Sequence, residues 1–429
     1  MSQVFAVIRK PNVARLLFSQ LLARFPAGML AVGLLVHVQQ TQGNYTSAGA
    51  VIAAYGIGQG ISGPLGGRLM SRFGMRGVLI PTMLVCSLAL IGIALLRMPL
   101  APTAALAFVA GLTVPAIPPA VRTIYPKVAK GRDLQALFTF DATVQEIIWI
   151  LGPLSIVAIS AFWDTTAGIL IAAIVLFIGS LWFVTAPEVG STRIPPARRA
   201  MGTVLRNPVL LIMAIVSLLV IGSWGALDAA IVAQYGHDSP YTAFLLGFSA
   251  LGSLLGGVFT SHLPMRKRSL SMRSIAAVIG AGSALLWVDN PWLLGVSVFI
   301  AGASCAPIIA VANAAVSASV RQSESAEAFG WLGTAQLVGS SIASALAGIA
   351  IDRLGATAGM SVGATFVVLA TVVAIVTIRW QPDLRGASLE PRPDTVTIPV
   401  VRMGMSTDAQ TSTDTEPRGD ADCKTNSEE

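Results

Sequence analysis

The sequence predicts an all-α membrane protein of twelve transmembrane helices, arranged as two six-helix bundles related by pseudo-two-fold symmetry. Three observations predict this class: the composition, the spacing of the apolar blocks and a repeat between the two halves. Of the 429 residues, 54% are hydrophobic and 11% are charged, whereas a soluble globular chain carries roughly 25% charged residues. This composition excludes an ordinary soluble enzyme, a disordered protein and a nucleic-acid-binding module.

Twelve apolar blocks are long enough to cross a bilayer, which takes about 20 residues per helix. In the first half of the chain, spans 1 to 6 are predicted near residues 14–38, 46–70, 77–97, 100–123, 136–161 and 165–186. In the second half, spans 7 to 12 are predicted near residues 208–233, 241–262, 272–288, 291–317, 328–351 and 356–379. The loops between the spans are short, so consecutive spans cross the membrane in opposite directions.

The distribution of Lys and Arg predicts the orientation of these spans. Residues 1–380 contain 23 Lys and Arg against 11 Asp and Glu. If the N-terminus is cytoplasmic, 20 of the 23 basic residues lie in or beside cytoplasmic segments, Arg97 and Arg353 lie outside, and Arg24 lies within span 1. Cytoplasmic segments of membrane proteins carry such an excess of basic residues. We therefore predict a multi-pass protein of the cytoplasmic membrane with both termini in the cytoplasm.

The longest internal loop divides the chain into four predicted regions. Residues 1–186 form an N-terminal six-helix bundle, residues 187–207 a cytoplasmic linker and residues 208–380 a C-terminal six-helix bundle. Residues 381–429 contain 5 basic against 10 acidic residues and few aromatic ones. Such a polar segment has too little apolar surface to fold, so it is predicted to be a disordered acidic tail in the cytoplasm.

The two halves resemble each other at an offset of about 190 residues. The glycine pair at 66–67 recurs at 256–257. The Ala-Gly pair at 110–111, followed by Pro115, recurs at 301–302, followed by Pro307. Two equivalent halves in the same orientation imply a pseudo-two-fold axis along the membrane normal. Transporters of this kind hold their substrate near the midplane between the halves and rock one half against the other.

The loop between spans 2 and 3 resembles the signature loop of the major facilitator superfamily, whose form is Gly-x-Leu-x-Asp-Arg-x-Gly-Arg-Arg. The chain reads Gly67-Arg68-Leu69-Met70-Ser71-Arg72-Phe73-Gly74-Met75-Arg76. Ser71 replaces the acidic residue and Met75 a basic one, so the carboxylate of the family's charge lock to the second half is missing. The resemblance covers residues 1–380 and implies the major facilitator fold. It also implies a cytoplasmic gating loop of Gly67, Arg72, Gly74 and Arg76.

The N-terminal half is similar to bacterial drug-efflux members of that superfamily. The similarity lies in residues 23–29 of span 1 and in residues 140–153 of span 5, which end in a Gly-Pro pair. It implies a secondary transporter whose partners are a small-molecule substrate, protons and the lipid bilayer.

Five ionisable residues lie within the spans or at their edges, where charge is costly and therefore tends to be paired or functional. They are Arg24, Arg122, Asp141, Glu146 and Asp228. Arg24 and Glu146 each lie about ten residues into a span that begins in the cytoplasm, so a rise of roughly 1.5 Å per residue puts them at similar depth. We predict that they form a buried ion pair, either for proton or substrate coupling or as a structural strut.

Asp141 and Arg122 are predicted to pair nearer the cytoplasm, either for proton transfer or in a structural role. Asp228 lies about twenty residues into span 7 without a basic residue at its level. It is interpreted as a protonated carboxyl, a cation-binding group or a group that faces outside water. Polar and aromatic residues complete the predicted cavity: Gln20, Tyr55, Gln59, Gln145, Trp149, Trp224, Asn313 and Gln336. For each of them, packing or lipid anchoring is the alternative.

Several motifs are absent from the sequence. It contains no Walker loop to bind ATP, no Ser-His-Asp order at plausible depth and no His-Glu-x-x-His. Its three Cys and three His are too scattered for a disulfide framework or a metal site. We therefore predict a monomer that is not an enzyme, holds no cofactor or metal and binds no nucleic acid.

The favoured function is a secondary active antiporter that exports a small, amphipathic molecule in exchange for protons. In this hypothesis Glu146, Asp141 or Asp228 takes up a proton outside and releases it inside, and Arg24 keeps Glu146 ionised. Two alternatives stay open. One is a facilitator or a proton symporter that imports a nutrient, and the other is a non-transporting membrane sensor whose output is the acidic tail.

Overall fold

A computed structural model describes most of the chain. The described residues are 11–43, 45–192, 194–195, 200–236, 239–260, 263–385 and 389–394. For residues 11, 12, 45, 46, 146 and 161, the description covers the backbone alone. Within these ranges the fold is almost entirely helical, with one isolated β-bridge between Arg321 and Arg392.

The first half of the described chain contains seven α-helices. They are α1 (Pro11–Gln42), α2 (Tyr45–Leu95), α3 (Leu100–Leu112), α4 (Ile117–Val128), α5 (Gly131–Phe162), α6 (Thr165–Val184) and the short α7 (Pro187–Ser191). The second half contributes α8 (Pro208–Tyr235), α9 (Pro240–Thr260), α10 (Ser269–Ala284), α11 (Pro291–Ser319), α12 (Ser325–Leu354) and α13 (Ala356–Val376). Three 3₁₀ turns lie at Thr203–Arg206, Gln322–Glu324 and Ile378–Trp380.

These helices correspond to the twelve predicted spans. In the described ranges, ten helical segments are long and apolar enough to cross a membrane, with α3 and α4 together forming one of them. The longest, Ser47–Leu95, is twice the length of a span and is interrupted at Gly74, whose φ of 78° favours glycine. It therefore supplies spans 2 and 3. Span 9 is α10, which has only 16 residues, and the predicted twelve-helix class is confirmed.

Side-chain caps fix where several helices begin. Asn207 accepts hydrogen bonds from the backbone N–H groups of Val209 and Leu210 at the start of α8. Asn290 caps α11 in the same way, and Asp164 caps α6. Such caps satisfy N–H groups that the first helical turn leaves without a partner. The predicted loops at these positions are therefore built from residues that start the next helix.

We call the end of the molecule where α1 begins and where residues 187–207 join the two halves the linker side. On this side α2 packs against α12 through small residues. A Cβ atom on Gly330 would overlap the backbone of Gly63, and one on Gly67 would overlap the backbone of Ala326. Glycine at these positions lets the two helices approach to backbone contact.

The described residues after span 12, which begin the tail predicted from residue 381, contact the second half through backbone groups. The backbone N–H of Leu384 donates to the carbonyl of Met265, and the Ser317 hydroxyl donates to the carbonyl of Leu389. We call residues 389–394 the strap. These contacts were not visible in the sequence, because they depend on backbone groups and do not require apolar side chains. The rest of the predicted tail lies outside the described residues.

Candidate functional site: a buried charge cluster and a contact between the halves

The centre of the candidate site is Asp141 on α5, which is completely buried. The Arg24 guanidinium of α1 donates to its Oδ1 at 2.5 Å, and the Arg122 guanidinium of α4 donates to its Oδ2 at 2.8 Å. The Tyr125 hydroxyl also donates to Oδ1, at 3.2 Å. One carboxylate is thus shared by two buried guanidinium groups, and the three charged side chains carry a net charge of +1.

The direction of the side chains explains why Arg24 and Arg122 meet at Asp141. Helical side chains lean towards the N-terminus of their helix. Because α1 begins on the linker side and α4 ends there, Arg24 leans towards the linker side and Arg122 leans away from it. Asp141 lies about 15 Å along α5, between the levels of the two arginines. Both guanidinium groups therefore converge on its carboxylate.

Two glutamines complete the shell of Arg24. Its guanidinium donates to Oε1 of Gln20 at 2.7 Å and to Oε1 of Gln145. Gln20 lies one turn before Arg24 on α1, and Gln145 lies one turn after Asp141 on α5, so each shares a helix face with its neighbour. The face of α1 with Gln20 and Arg24 packs against the face of α5 with Asp141 and Gln145, so these four polar residues lie together inside the first half.

The structure describes part of the predicted pairing. The predicted pair of Arg122 and Asp141 is present, and Asp141 is completely buried. The described acidic partner of Arg24 is also Asp141, a contact that the sequence did not predict. Glu146 lies in α5, and its side chain is outside the described residues. The lean of the Arg24 side chain towards the linker side explains its contact with Asp141, and the predicted pair of Arg24 and Glu146 stays a prediction.

Several predicted cavity residues carry buried polar atoms that have no hydrogen-bond partner among the described residues. These atoms are Nε2 of Gln20, the Tyr55 hydroxyl, Nε2 of Gln336 and both amide atoms of Asn313. Buried polar groups are normally hydrogen-bonded, so such orphans need an explanation. Water or a polar ligand would satisfy them. Of the other predicted residues, Gln59 and Trp224 are half-buried and Trp149 is exposed.

Asp228 is apart from this cluster. It lies about 30 Å along α8 from the linker side, whereas Arg24 lies about 20 Å along α1. Its side chain is exposed and has no ion pair or hydrogen bond with the described residues. The neighbouring Gly225 faces Ser340 and Ser344 of α12. Asp228 is therefore an accessible carboxylate that the described packing leaves without a counter-charge.

A second charged site joins the two halves on the linker side. The guanidinium of Arg68 on α2 lies 3.5 Å from the carboxylate of Glu327, which is almost completely buried at the start of α12. The Glu327 carboxylate also accepts a hydrogen bond from the backbone N–H of Gly202 in the linker, at 2.7 Å. The sequence interpretation missed this pair. Its signals were an arginine at a variable position of the loop motif and an acid in the first turn of span 11.

The predicted gating residues have different environments. Gly67 packs against the backbone of α12, and Gly74 forms the break between spans 2 and 3. Arg76 donates to the carbonyls of Val184 and Ala186, so it anchors the end of α6 in its own half. Arg72 is exposed, and its guanidinium lies 5.3 Å from the ring of Phe73. Arg68, rather than Arg72 or Arg76, makes the ion pair with the second half.

The other hydrogen bonds between the two halves lie on the same side in the described parts of the chain. The Thr334 hydroxyl donates to the carbonyl of Gly60 at 2.6 Å, and the Ser325 hydroxyl donates to Thr123 at 3.4 Å. The Gln135 side chain donates to the carbonyl of Leu263 at 2.5 Å. Away from the linker side, α5 and α12 carry exposed apolar side chains: Leu154, Val157, Val338 and Ile342.

The described residues contain no group of three or more His, Cys, Asp or Glu side chains that could hold a metal ion. The site is therefore characterised by ion pairs, unpaired amides and a contact between two bundles. An arrangement of this kind can bind a polar molecule, hold a proton and change its packing.

The sequence matches the family model described as the Major Facilitator Superfamily over residues 16–286 and 223–404. The Multidrug resistance protein MdtG of Erwinia billingiae is 26% identical over 185 residues, or 42% of this chain and 45% of the relative. MdtG of Escherichia coli O17:K52:H18 is 28% identical over 183 residues, or 41% of this chain and 45% of the relative. The chain thus spans about half the length of these curated relatives.

Solved structures of transporters share the fold. The proton:xylose symporter XylE has a TM-score of 0.67 at 15% identity, over 90% of this chain and 98% of that one. FucP in its outward conformation has a TM-score of 0.66 at 12% identity, over 86% and 99% of the two chains. The human organic anion transporter MFSD10 has a TM-score of 0.63 at 13% identity, over 85% of this chain and 100% of that one. At these identities the likeness concerns the fold alone.

Proposed function

The chain belongs to the Major Facilitator Superfamily, and from this premise we propose that it exports a small, amphipathic molecule in exchange for protons. It is a multi-pass membrane transporter, as members of this family are, and not an enzyme. Export is supported by its relatives, which are named multidrug resistance proteins. The proposed location is the cytoplasmic membrane with both termini inside, supported by the excess of basic residues on the linker side.

The observation that carries the mechanism is the restriction of the polar contacts between the halves to the linker side. If that side is cytoplasmic, the molecule is closed to the cytoplasm and faces outward. Rocking to the inward-facing state must then separate α2 from α12, which breaks the pair of Arg68 and Glu327 and the contact of Gly63 with Gly330. Alternating access by two rigid bundles is the usual mode of such repeats.

The charge cluster supports a division of roles among the three acidic candidates. Two guanidinium groups stabilise the charged form of Asp141, so this residue is a poor proton acceptor in the closed arrangement. Asp228 is accessible and has no described counter-charge, so we propose that its carboxylate binds and releases the coupled proton. Glu146 is a second proton-binding candidate because it lies one turn beyond Asp141 on the same helix. Neutralising a carboxylate lowers its cost of burial and so biases which face is open.

The unpaired polar atoms support a substrate site between the halves. Gln20 and Asn313 are buried in different halves and both have amide atoms available for a ligand. The half-buried Trp224 adds aromatic surface. A mainly apolar pocket with a few polar groups suits a small amphipathic molecule.

The test is a flux assay in proteoliposomes with the full chain and an imposed pH gradient, with ethidium as the first amphipathic probe. Opposite gradients applied to inverted and right-side-out vesicles separate export from import. We expect an inward proton gradient to drive probe export from right-side-out vesicles and Asp228→Asn to abolish this driven flux. Downhill flux that ignores the gradient in the unmodified protein indicates a facilitator. If no solute moves in a broad compound screen, the transporter mechanism proposed here fails and the sensor alternative gains support.

A further inference from the structure

A cavity of about 380 Å³ lies on the linker side, next to the start of α12, and none of the residues of the charge cluster line it. Its walls come from the end of the linker, the start of α8, the end of α11 and the strap. Three arginines line it: Arg206, Arg321 and Arg392. Glu324 is the acidic lining residue, so the charged side chains around the cavity sum to +2.

The backbone places two of these arginines side by side. The N–H of Arg392 donates to the carbonyl of Val320 at 2.9 Å, and the N–H of Gln322 donates to the carbonyl of Arg392 at 3.0 Å. This pattern makes Arg321 and Arg392 direct partners in a parallel bridge. Because side chains alternate between the faces of extended strands, paired residues project to the same face. Like charges in such pairs repel, so the arrangement is destabilising unless an anion lies between them.

The walls that carry the arginines are held by other hydrogen bonds. The Ser323 hydroxyl donates to the carboxylate of Asp394 at 2.5 Å, which fixes the strap beside Arg392. The Asn207 side chain donates to the carbonyl of Ser319 at 2.9 Å, which fixes the linker to the end of α11. Arg206 directly precedes Asn207. Three guanidinium groups are therefore mounted on restrained backbone rather than on a free loop.

None of the three guanidinium groups has an ion pair or a side-chain hydrogen bond with the described residues. Each offers a planar fork of donors that matches two oxygen atoms of a phosphate group. We infer that this cavity binds a phosphate-bearing anion, held by Arg206, Arg321 and Arg392. The ligand connects the linker to the strap, two segments that otherwise meet through α11.

Two sources present this chemistry at the linker side. The ends of α8 and α11 lie where spans leave the bilayer, so the phosphodiester of an anionic lipid reaches this level. A small soluble phosphate compound reaches it from the aqueous side. Dihexanoyl phosphatidylglycerol and inorganic pyrophosphate are therefore the two probes, each titrated against the purified full-length protein in a neutral detergent by microscale thermophoresis.

The decisive variant is the double substitution Arg321→Gln with Arg392→Gln. We expect it to weaken binding of the preferred probe at least about tenfold, because it removes two charge-assisted contacts. The matched control is Arg266→Gln with Arg268→Gln, which removes the same charge on the same side outside the cavity. The control should change the dissociation constant less than about twofold. Raising NaCl from 50 to 300 mM should weaken binding to the unmodified protein, since the contact is electrostatic.

Binding of the lipid probe alone assigns the site to a headgroup, and binding of pyrophosphate alone assigns it to a soluble anion. The inference is overturned if neither probe binds at millimolar concentration, or if the cavity variant loses no more affinity than the control. The pair Arg321→Lys and Arg392→Lys is a second variant in case the glutamine variant does not fold. It keeps the charge but lacks the planar fork, so we expect a smaller but measurable loss, and unchanged affinity for both probes contradicts the site.

Discussion

Replacing Asp141 with Asn is the most informative perturbation of the buried charge cluster. The substitution preserves the shape of the side chain but removes the carboxylate that Arg24 and Arg122 share. Asn keeps one acceptor oxygen and gains an NH₂ group, which must face a donor of one guanidinium group. The net charge of the buried cluster rises from +1 to +2 while its volume stays nearly constant.

The expected loss follows from the burial of all three groups. Arg24 and Arg122 are 5% and 4% exposed, and Asp141 is fully buried. Breaking a buried ion pair by removing one partner costs about 3–5 kcal/mol. The two pairs share one carboxylate, so their costs do not add, and we expect the whole change to stay within about this range. The midpoint of thermal unfolding should fall by on the order of 10 °C for a bundle of this size.

Companion variants distinguish charge compensation from mere packing. Arg122→Gln leaves Arg24 paired with Asp141 and makes the cluster neutral, so it should be the mildest change. The double variant of Asp141→Asn and Arg122→Gln restores the net charge to +1. It should therefore unfold at a higher temperature than Asp141→Asn alone, a non-additive result that packing loss does not produce. Asp228→Asn is the matched control, because that carboxylate is exposed and without a described partner.

Thermal unfolding in detergent, followed by intrinsic tryptophan fluorescence, measures all four variants. The reasoning is refuted if Asp141→Asn destabilises the protein no more than Asp228→Asn. It is equally refuted if the double variant is less stable than Asp141→Asn by the full cost of Arg122→Gln. Flux measurements on the same samples then separate the structural contribution from any effect on transport.

Three further predictions concern the gate and the proton. Gly330→Leu places a side chain against the α2 backbone, so it should abolish flux and the outward-facing state, the latter measured by labelling cysteines placed on the side opposite the linker. Gly333→Leu on the same helix, where the space beside the glycine is open, should keep both the flux and the outward-facing state. Glu327→Gln removes the ion pair of Glu327 with Arg68. The outward-facing state should lose about 1–3 kcal/mol of stability, which shifts the population towards the inward-facing state at least about fivefold, as measured by distance distributions between spin labels on the two halves. Asp228→Asn should abolish flux driven by a pH gradient but leave exchange of labelled for unlabelled probe intact, and driven flux at the unmodified rate contradicts the proton assignment.

The class of the protein was predictable from local properties of the sequence. A bilayer requires each span to be about 20 apolar residues long, with its backbone hydrogen bonds satisfied inside the helix. Hydropathy and loop charge therefore predict the number of spans without knowledge of their neighbours. The glycines of α2 were equally visible, because a helix that approaches another to backbone contact needs small residues. Their alignment with α12 was not visible.

The partners of the charged side chains were decided by the tertiary structure. Sequence position predicts how deep Arg24 lies along α1, but the rotation of each helix and the lean of a long side chain determine which acid it reaches. Thus Arg24 meets Asp141, and Arg68, which occupies a variable position of the loop motif, makes the ion pair with Glu327 of the second half. Arg321 and Arg392 are 71 positions apart and became neighbours only through a backbone bridge. Depth is a property of one helix, whereas contact depends on the packing of at least two.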